Sequence, residues 1–191
     1  MPMNLCHRWL CNSAGWAAKV EKSVLPWALE GADLGTEALE IGPGYGATTR
    51  VLTRRVPRLT VLEVDRASAD RLDDAFDGRV EVVHADGSAM PLPDRRFDSV
   101  VCFTMLHHVP TPELQDRLFS EAFRVLRPGG VFAGCDALDG WGFRLIHIGD
   151  TCVPVPPHSL ADRLGAAGFK VTKVSTGGAG GSNVRFRAVR P

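Results

Sequence analysis

The sequence predicts an α/β fold, a doubly wound sheet of mainly parallel strands with helices on both faces. Three observations predict it. Apolar, β-branched runs alternate with helical patterns from residue 36 to about residue 170. The first run, Ala38 to Ile41, breaks into glycines at alternate positions, Gly42, Gly44 and Gly46. A buried parallel strand ends this way when a ligand is to lie directly on the turn, because a Cβ would block either the turn or the ligand. Acidic residues then recur at the ends of later strands, where open α/β sheets bind their ligands.

The elements follow in order. Within the first 30 residues, Leu5, Trp9, Trp16, Val20, Val24 and Trp27 recur at spacings of three, four and seven, tracing one apolar helical face. Pro26 marks a break or a new helix start. This face is expected to pack on the sheet or cover the pocket; Arg8, Lys19 and Lys22 also suit a peripheral membrane contact. Strands are predicted over Glu37–Ile41, Leu59–Val64, Val80–His84, Asp98–Phe103 and Gly130–Cys135, with helices near 47–56, 67–76 and 111–127. After the fifth strand, a Pro/Gly-punctuated segment, Asp136–Pro157, leads into a helix near Ser159–Ala167. Two β-rich runs follow, Phe169–Ser175 and Asn183–Val189. The link Thr176–Ser182 is too short for a crossover helix, so those strands should pair antiparallel. Its glycines read as a hairpin loop, since no helix opens after them to cradle a phosphate.

The chain of 191 residues fits one domain. Its three expected parts are an N-terminal helical cap (1–35), a cofactor-binding core (36–136), and an acceptor-side loop with the last helix and strand pair (137–191). Lys plus Arg and Asp plus Glu number 22 each, so the basic excess of a nucleic-acid binder is missing and such a partner is disfavoured. No apolar run reaches the roughly 18 residues needed to span a bilayer. His7, Arg8, Asn12 and Ser13 interrupt any signal-peptide core, and the expected address is the cytoplasm. Five cysteines form no C-x-x-C pair. Cys6-His7-Cys11 is the one metal-like cluster, and no metal centre is expected.

Three acids follow one another along the predicted crevice. Glu40 precedes the glycine turn. Asp65 comes 19 residues after Gly46, where doubly wound folds place an acid on a ribose diol, with Glu63 as its rival. Asp86 ends the third strand, able to accept from an exocyclic amine. The reading against each is a helix N-cap or a solvated charge; their joint placement favours a ligand.

On these residues the chain resembles the class I S-adenosylmethionine-dependent methyltransferases, in particular the small-molecule group related to the ubiquinone/menaquinone-biosynthesis enzymes. Glu40-Ile41-Gly42-Pro43-Gly44-Tyr45-Gly46 is similar to their first motif and Val64-Asp65 to the second. Asp86-Gly87-Ser88-Ala89-Met90-Pro91-Leu92-Pro93-Asp94, running on into Phe97-Asp98, resembles their adenine-contacting loop and fourth strand. Thr104-Met105-Leu106-His107-His108-Val109 and Glu121 to Gly130 complete the series. The resemblance implies a Rossmann-like seven-stranded sheet of order 3-2-1-4-5-7-6 with strand 7 antiparallel. It also implies S-adenosylmethionine as cofactor and a small-molecule methyl acceptor. Glu40, Gly42, Gly44, Tyr45, Gly46, Asp65, Asp86, Gly87 and Thr104 are the cofactor contacts it implies: negative charge near the methionine end, the ribose diol at Asp65, adenine at Asp86 and the Gly87 amide.

Methyl transfer depends chiefly on positioning, with a base where the acceptor is a phenol, hydroxyl or protonated amine. His107 and His108 are the base candidates, ahead of Asp136 and His147; packing or capping is the competing role for each. Trp141, Phe143, Ile148 and Val153 are expected to line an acceptor pocket. Protein or RNA methylation and a regulatory cofactor-binding module are the alternatives. A nicotinamide dinucleotide fits Gly42-x-Gly44-x-x-Ala47, but Glu40 would oppose its phosphates.

Overall fold

A computed structural model describes residues 4–178 and 181–191, and the side chains of all of these except 5–7. Seven strands form one sheet: β1 (Glu37–Ile41), β2 (Arg58–Glu63), β3 (Glu81–His84), β4 (Phe97–Phe103), β5 (Leu126–Ala137), β6 (Lys170–Gly177) and β7 (Asn183–Val189). Their order is β3-β2-β1-β4-β5-β7-β6, with β7 antiparallel to both neighbours and the other pairings parallel. The order reverses between β1 and β4, and that switch point opens the crevice at the carboxyl edge.

Alternation along the strands builds two cores. Leu39 and Ile41 of β1, Val100 and Cys102 of β4 and Phe132 of β5 face one side. There they meet α6 (Pro112–Val125) and α8 (Pro157–Ala166) through Leu118, Phe119, Leu160 and Leu164. Ala38, Val101, Phe103, Ala133 and Cys135 face the other. That side is covered by α4 (Ala47–Leu52), α5 (Arg66–Phe76) and the N-terminal helices. A strand buried on both faces carries no polar alternation, which is why β1, β4 and β5 read as near-continuous apolar runs.

The N-terminal segment departs from the predicted single face. It consists of α1 (Leu5–Cys11), α2 (Ala14–Lys19), a π-helical turn over Val20–Val24 and α3 (Leu25–Ala28). Val20, Val24 and Leu25 pack into the second core, but Trp9 is 75% exposed. The break at Asn12-Ser13, where Ser13 caps α2, and the π turn each shift the helical phase, so residues at constant spacing do not share a face. The Leu5 side chain lies outside the described residues. So do the side chains of Cys6 and His7 and the two residues 179–180 of the last hairpin link.

Other boundaries shift for local reasons. Helix α4 stops at Leu52, where the chain tightens into i→i−3 bonds from the Arg54 and Arg55 amides to the Val51 and Leu52 carbonyls ahead of Pro57. Strand β5 begins at Leu126, inside the predicted helix, and it includes Asp136. The Pro91-Leu92-Pro93 loop is held by Arg124 of α6, which donates to the Met90 and Leu92 carbonyls at 2.9 and 2.7 Å and to Asp94 at 2.6 Å. Asp98 fastens the start of β4 to β1, accepting from the Thr36 and Glu37 amides and from Arg127. Although burial works against its charge, these donors pull its carboxyl down to about 2. No helix among the described residues is long and apolar enough to cross a membrane.

Candidate active site

A cleft opens over the carboxyl ends of β1, β2 and β4. Its walls are Gly42, Pro43, Gly44, Tyr45, Ala47 and Thr48 after β1, Glu63, Val64, Asp65 and Ser68 after β2, and Phe103, Thr104, Met105 and His108 after β4. Cys11 and Trp16 of the N-terminal helices close the remaining side.

The glycine turn is shaped for a ligand. Gly42, Gly44 and Gly46 all have positive φ, at 66°, 55° and 74°. A Cβ on Gly46 would press on Leu72 and Phe76, so that glycine serves the packing of α4 on α5. A Cβ on Gly44 would meet nothing within 4 Å and would instead project into space beside the turn. Thr104 carries a positive φ of 50° without being glycine, while its amide donates to the Cys135 carbonyl at 2.8 Å. Strain of this kind, in a residue facing a cleft, clusters at ligand sites.

The acids divide their duties. Glu63 is buried and accepts the Gly44 amide at 3.1 Å on one oxygen and the Asp65 amide at 3.0 Å on the other. Asp65 caps α5, accepting the Ser68 amide and hydroxyl at 2.8 Å each. The Ser68 bonds hold its carboxyl below the usual range. Both acids line the cleft, so Asp65 caps α5 from a position on its wall. Glu40 lies elsewhere than the sequence implies. Its side chain points to the α4 face, 1% exposed, and its two oxygens accept from the hydroxyls of Thr48 and of Thr49, the latter at 2.6 Å. Burial pushes its carboxyl up to about 7, against the pull of those hydroxyls. It therefore lies beneath the turn, joined to the wall residue Thr48, and not on the cleft wall.

Asp86 and Gly87 are also outside the wall. Asp86 is exposed and closes a turn by accepting the Ser88 amide at 2.8 Å. Gly87 is buried where a Cβ would press on Leu118 and Ile41. Tyr45 sits at the rim, its hydroxyl accepting from Arg8 at 3.2 Å and its ring beneath the Arg71 guanidinium.

The two base candidates separate. Both belong to the 3-10 turn Leu106–His108 that follows β4, but His108 faces the cleft and His107 is 3% exposed behind it. Gln115 of α6 pins this turn by donating to the Leu106 carbonyl at 3.0 Å and the Val153 carbonyl at 2.8 Å. His107 Nδ1 lies 2.5 Å from an Asp136 oxygen, and the His107 amide donates to the other at 3.0 Å. Burial opposes the Asp136 charge, yet the His107 ring and the His107 and Ala137 amides keep its carboxyl below the usual range. His107 Nε2 is 3.1 Å from His147 Nε2, and His147 Nδ1 is 2.7 Å from the Phe143 carbonyl. Of the predicted acceptor-pocket residues, Phe143 packs on the His107 and His147 rings, whereas Trp141 and Ile148 face solvent and Val153 is half-buried outside the cleft wall.

Chemically, the cleft offers carboxylates, a glycine cradle and apolar walls, and no Lys or Arg among its described lining residues. That suits a cationic nucleoside and not a pyrophosphate. Glu63, Cys11 and Trp16 are wall residues that the sequence did not single out for the cofactor. Glu63 was legible only as a rival to Asp65, Trp16 as part of the apolar face expected to pack on the sheet or cover the pocket, and spacing gives no signal for Cys11.

Known proteins agree with this reading. A methyltransferase-domain family model matches residues 39–134. A probable S-adenosylmethionine-dependent methyltransferase of Mycolicibacterium smegmatis is 36% identical over 98 residues, 51% of this chain and 37% of that protein. A ubiquinone/menaquinone biosynthesis C-methyltransferase of Methylobacterium nodulans is 36% identical over 107 residues, 48% of this chain and 41% of that protein. The chain thus spans less than half the length of these relatives. In structure it is similar to a SAM-dependent methyltransferase from Aquifex aeolicus, with a TM-score of 0.73 at 18% identity, covering 91% of this chain and 93% of that one. Fold, motif series and family match converge on one assignment: the chain belongs to the class I S-adenosylmethionine-dependent methyltransferases.

Proposed function

We propose that this protein moves a methyl group from S-adenosylmethionine to a small, largely apolar acceptor. The observation that carries the reading is the glycine turn facing two carboxylates, Glu63 and Asp65, in a cleft with no Lys or Arg among its described lining residues. When bound, the cofactor supplies a methyl carbon activated by a sulfonium. The residues of the chain do the rest. Gly42 and Gly44 let the backbone approach the methionine portion, and Glu40 beneath the turn favours positive charge there. Glu63 and Asp65 each retain acceptor capacity toward a ribose diol, since a carboxylate offers about four lone-pair sites. Val64, exposed at the cleft, gives an apolar contact for the base. Asp86 and Gly87, at the next strand end, lie outside the cleft wall.

On the acceptor side, Cys11, Trp16, Phe103 and Met105 are mainly apolar, and His108 is the imidazole facing the reacting space. The N-terminal helices thus act as a cap over the core, and the 137–191 segment supports the acceptor side through His147. The relatives named for quinone and, in Gibberella zeae, sterol methylation support a small-molecule acceptor. The test is incubation with methyl-labelled cofactor and a metabolite extract, reading labelled products by mass spectrometry. A labelled small molecule supports the proposal. Label appearing only in protein or RNA, or nowhere, contradicts it.

A further inference from the structure

We propose that His107, His108 and His147 bind a divalent metal ion of the zinc class at the acceptor end of the cleft. The three residues offer one ring nitrogen each within 4.8 Å of one another. Their Nδ1 atoms are all committed. That of His107 faces the Asp136 carboxylate, that of His147 the Phe143 carbonyl at 2.7 Å, and that of His108 the Thr151 carbonyl at 3.2 Å. These oxygens accept and do not donate, so each Nδ1 carries a hydrogen and Nε2 is the nitrogen each ring can turn toward a metal.

This is the arrangement of metal-binding histidines, whose second nitrogen is fixed by a carboxylate or a backbone carbonyl. The Nε2 atoms of His107 and His147 face each other at 3.1 Å. At that distance the two nitrogens share either a proton or a metal ion. A proton serves two nitrogens; a metal ion serves three. Zinc–nitrogen bonds of about 2.0–2.1 Å give a tetrahedral edge of about 3.3 Å, close to the distance seen. The trio's ligand atoms lie within 4.8 Å of one another, at most about 1.5 Å wider than that edge, which small side-chain adjustments can close. Asp136, buried against His107, supplies the balancing negative charge.

Three imidazole ligands leave a fourth position on a tetrahedral ion, as in catalytic zinc sites. Because His108 also lines the cleft, that position opens toward the acceptor. An acceptor X–H that coordinates there does so as X⁻, its proton passing to solvent, which favours a thiol or phenol as the acceptor group. Only this role rests on the methyl-transfer reading; metal binding itself stands on the geometry of the three rings.

The experiment strips the purified protein with a chelator, dialyses it against zinc or cobalt(II), desalts it and measures bound metal. One zinc per chain is expected in the native protein, with about tenfold less in His147→Ala and in His107→Ala. Asp136→Asn should keep the stoichiometry and weaken zinc affinity about 10–100-fold. The native protein loaded with cobalt should lack a thiolate charge-transfer band, a readout that requires no variant to fold. The proposal is overturned if the native protein retains no metal. It is equally overturned if folded histidine variants retain as much as native, or if the thiolate band appears, since the metal would then sit on Cys11 or Cys152. Methyl transfer by metal-free native protein at the rate of the loaded protein would remove the catalytic role and leave His108 as a simple base.

Discussion

Glu63 at the end of β2 accepts the amide of Gly44 in the turn after β1, at 3.1 Å. Its second oxygen accepts the Asp65 amide at the start of α5. One buried carboxylate thereby joins the part of the cleft proposed for the methionine to the part proposed for the ribose. Glu63→Gln preserves shape but supplies only one acceptor oxygen, leaving one of the two amides facing an NH₂ group. A destabilisation of about 1–3 kcal/mol is expected, with cofactor affinity lowered about tenfold or more. Chemical denaturation and calorimetry read the two effects separately.

Asp65 both caps α5 and faces the cleft. Asparagine is an equally good cap but lacks the charge and one acceptor. Asp65→Asn should therefore melt near the native temperature while binding cofactor about tenfold more weakly. Asp65→Ala should add a loss of about 1 kcal/mol in stability from the missing cap. Equal affinities for native and Asp65→Asn would assign the ribose contact to Glu63 alone.

Gly44 separates fold from function more sharply. Alanine there costs about 1–2 kcal/mol for its left-handed backbone, and its Cβ meets no protein atom within 4 Å. The expected outcome for Gly44→Ala is a folded protein with cofactor affinity reduced at least tenfold by the methyl group standing beside the ligand. A circular-dichroism melt alongside a binding titration tests both halves.

Glu40 gives the fold a pH dependence. Burial raises its carboxyl from 4.5 to about 7, so between those values the folded state holds a proton that the unfolded state has released. Stability contributed by this group therefore falls as pH rises from about 4.5 to 7, and levels off above. The full difference is about 3 kcal/mol. Glu40→Gln should flatten that part of the profile, as followed by urea unfolding at stepped pH. A cation on the turn should draw the proton off, so cofactor binding near pH 6.5 should release protons and tighten toward pH 8. Titration calorimetry in buffers of different ionisation enthalpy measures the release.

Much of this architecture is legible in the sequence because it is written in local period. Strands buried on both faces stand out as apolar runs, and β7 was delimited to the residue as Asn183–Val189. The sheet order followed from the motif series and not from periodicity. What local period cannot give is which distant groups meet. His107 and His147 are 40 residues apart and come together only because β4 and the segment after β5 end at the same edge. The glycine turn and Asp65 were legible as ligand features, whereas Glu40 could be placed on its strand but not on a face until α4 was seen to cover it. The apolar N-terminal positions kept helical spacing, and the π turn that disrupts their common face leaves no mark in composition.

The cofactor remains the point on which the account turns. Titration calorimetry of the purified protein with S-adenosylmethionine, and separately with NAD, tests it most directly. One saturable site per chain is expected for S-adenosylmethionine, weakened in Asp65→Asn and Gly44→Ala, with no heat of binding for NAD. Tight NAD binding with none for S-adenosylmethionine would contradict it.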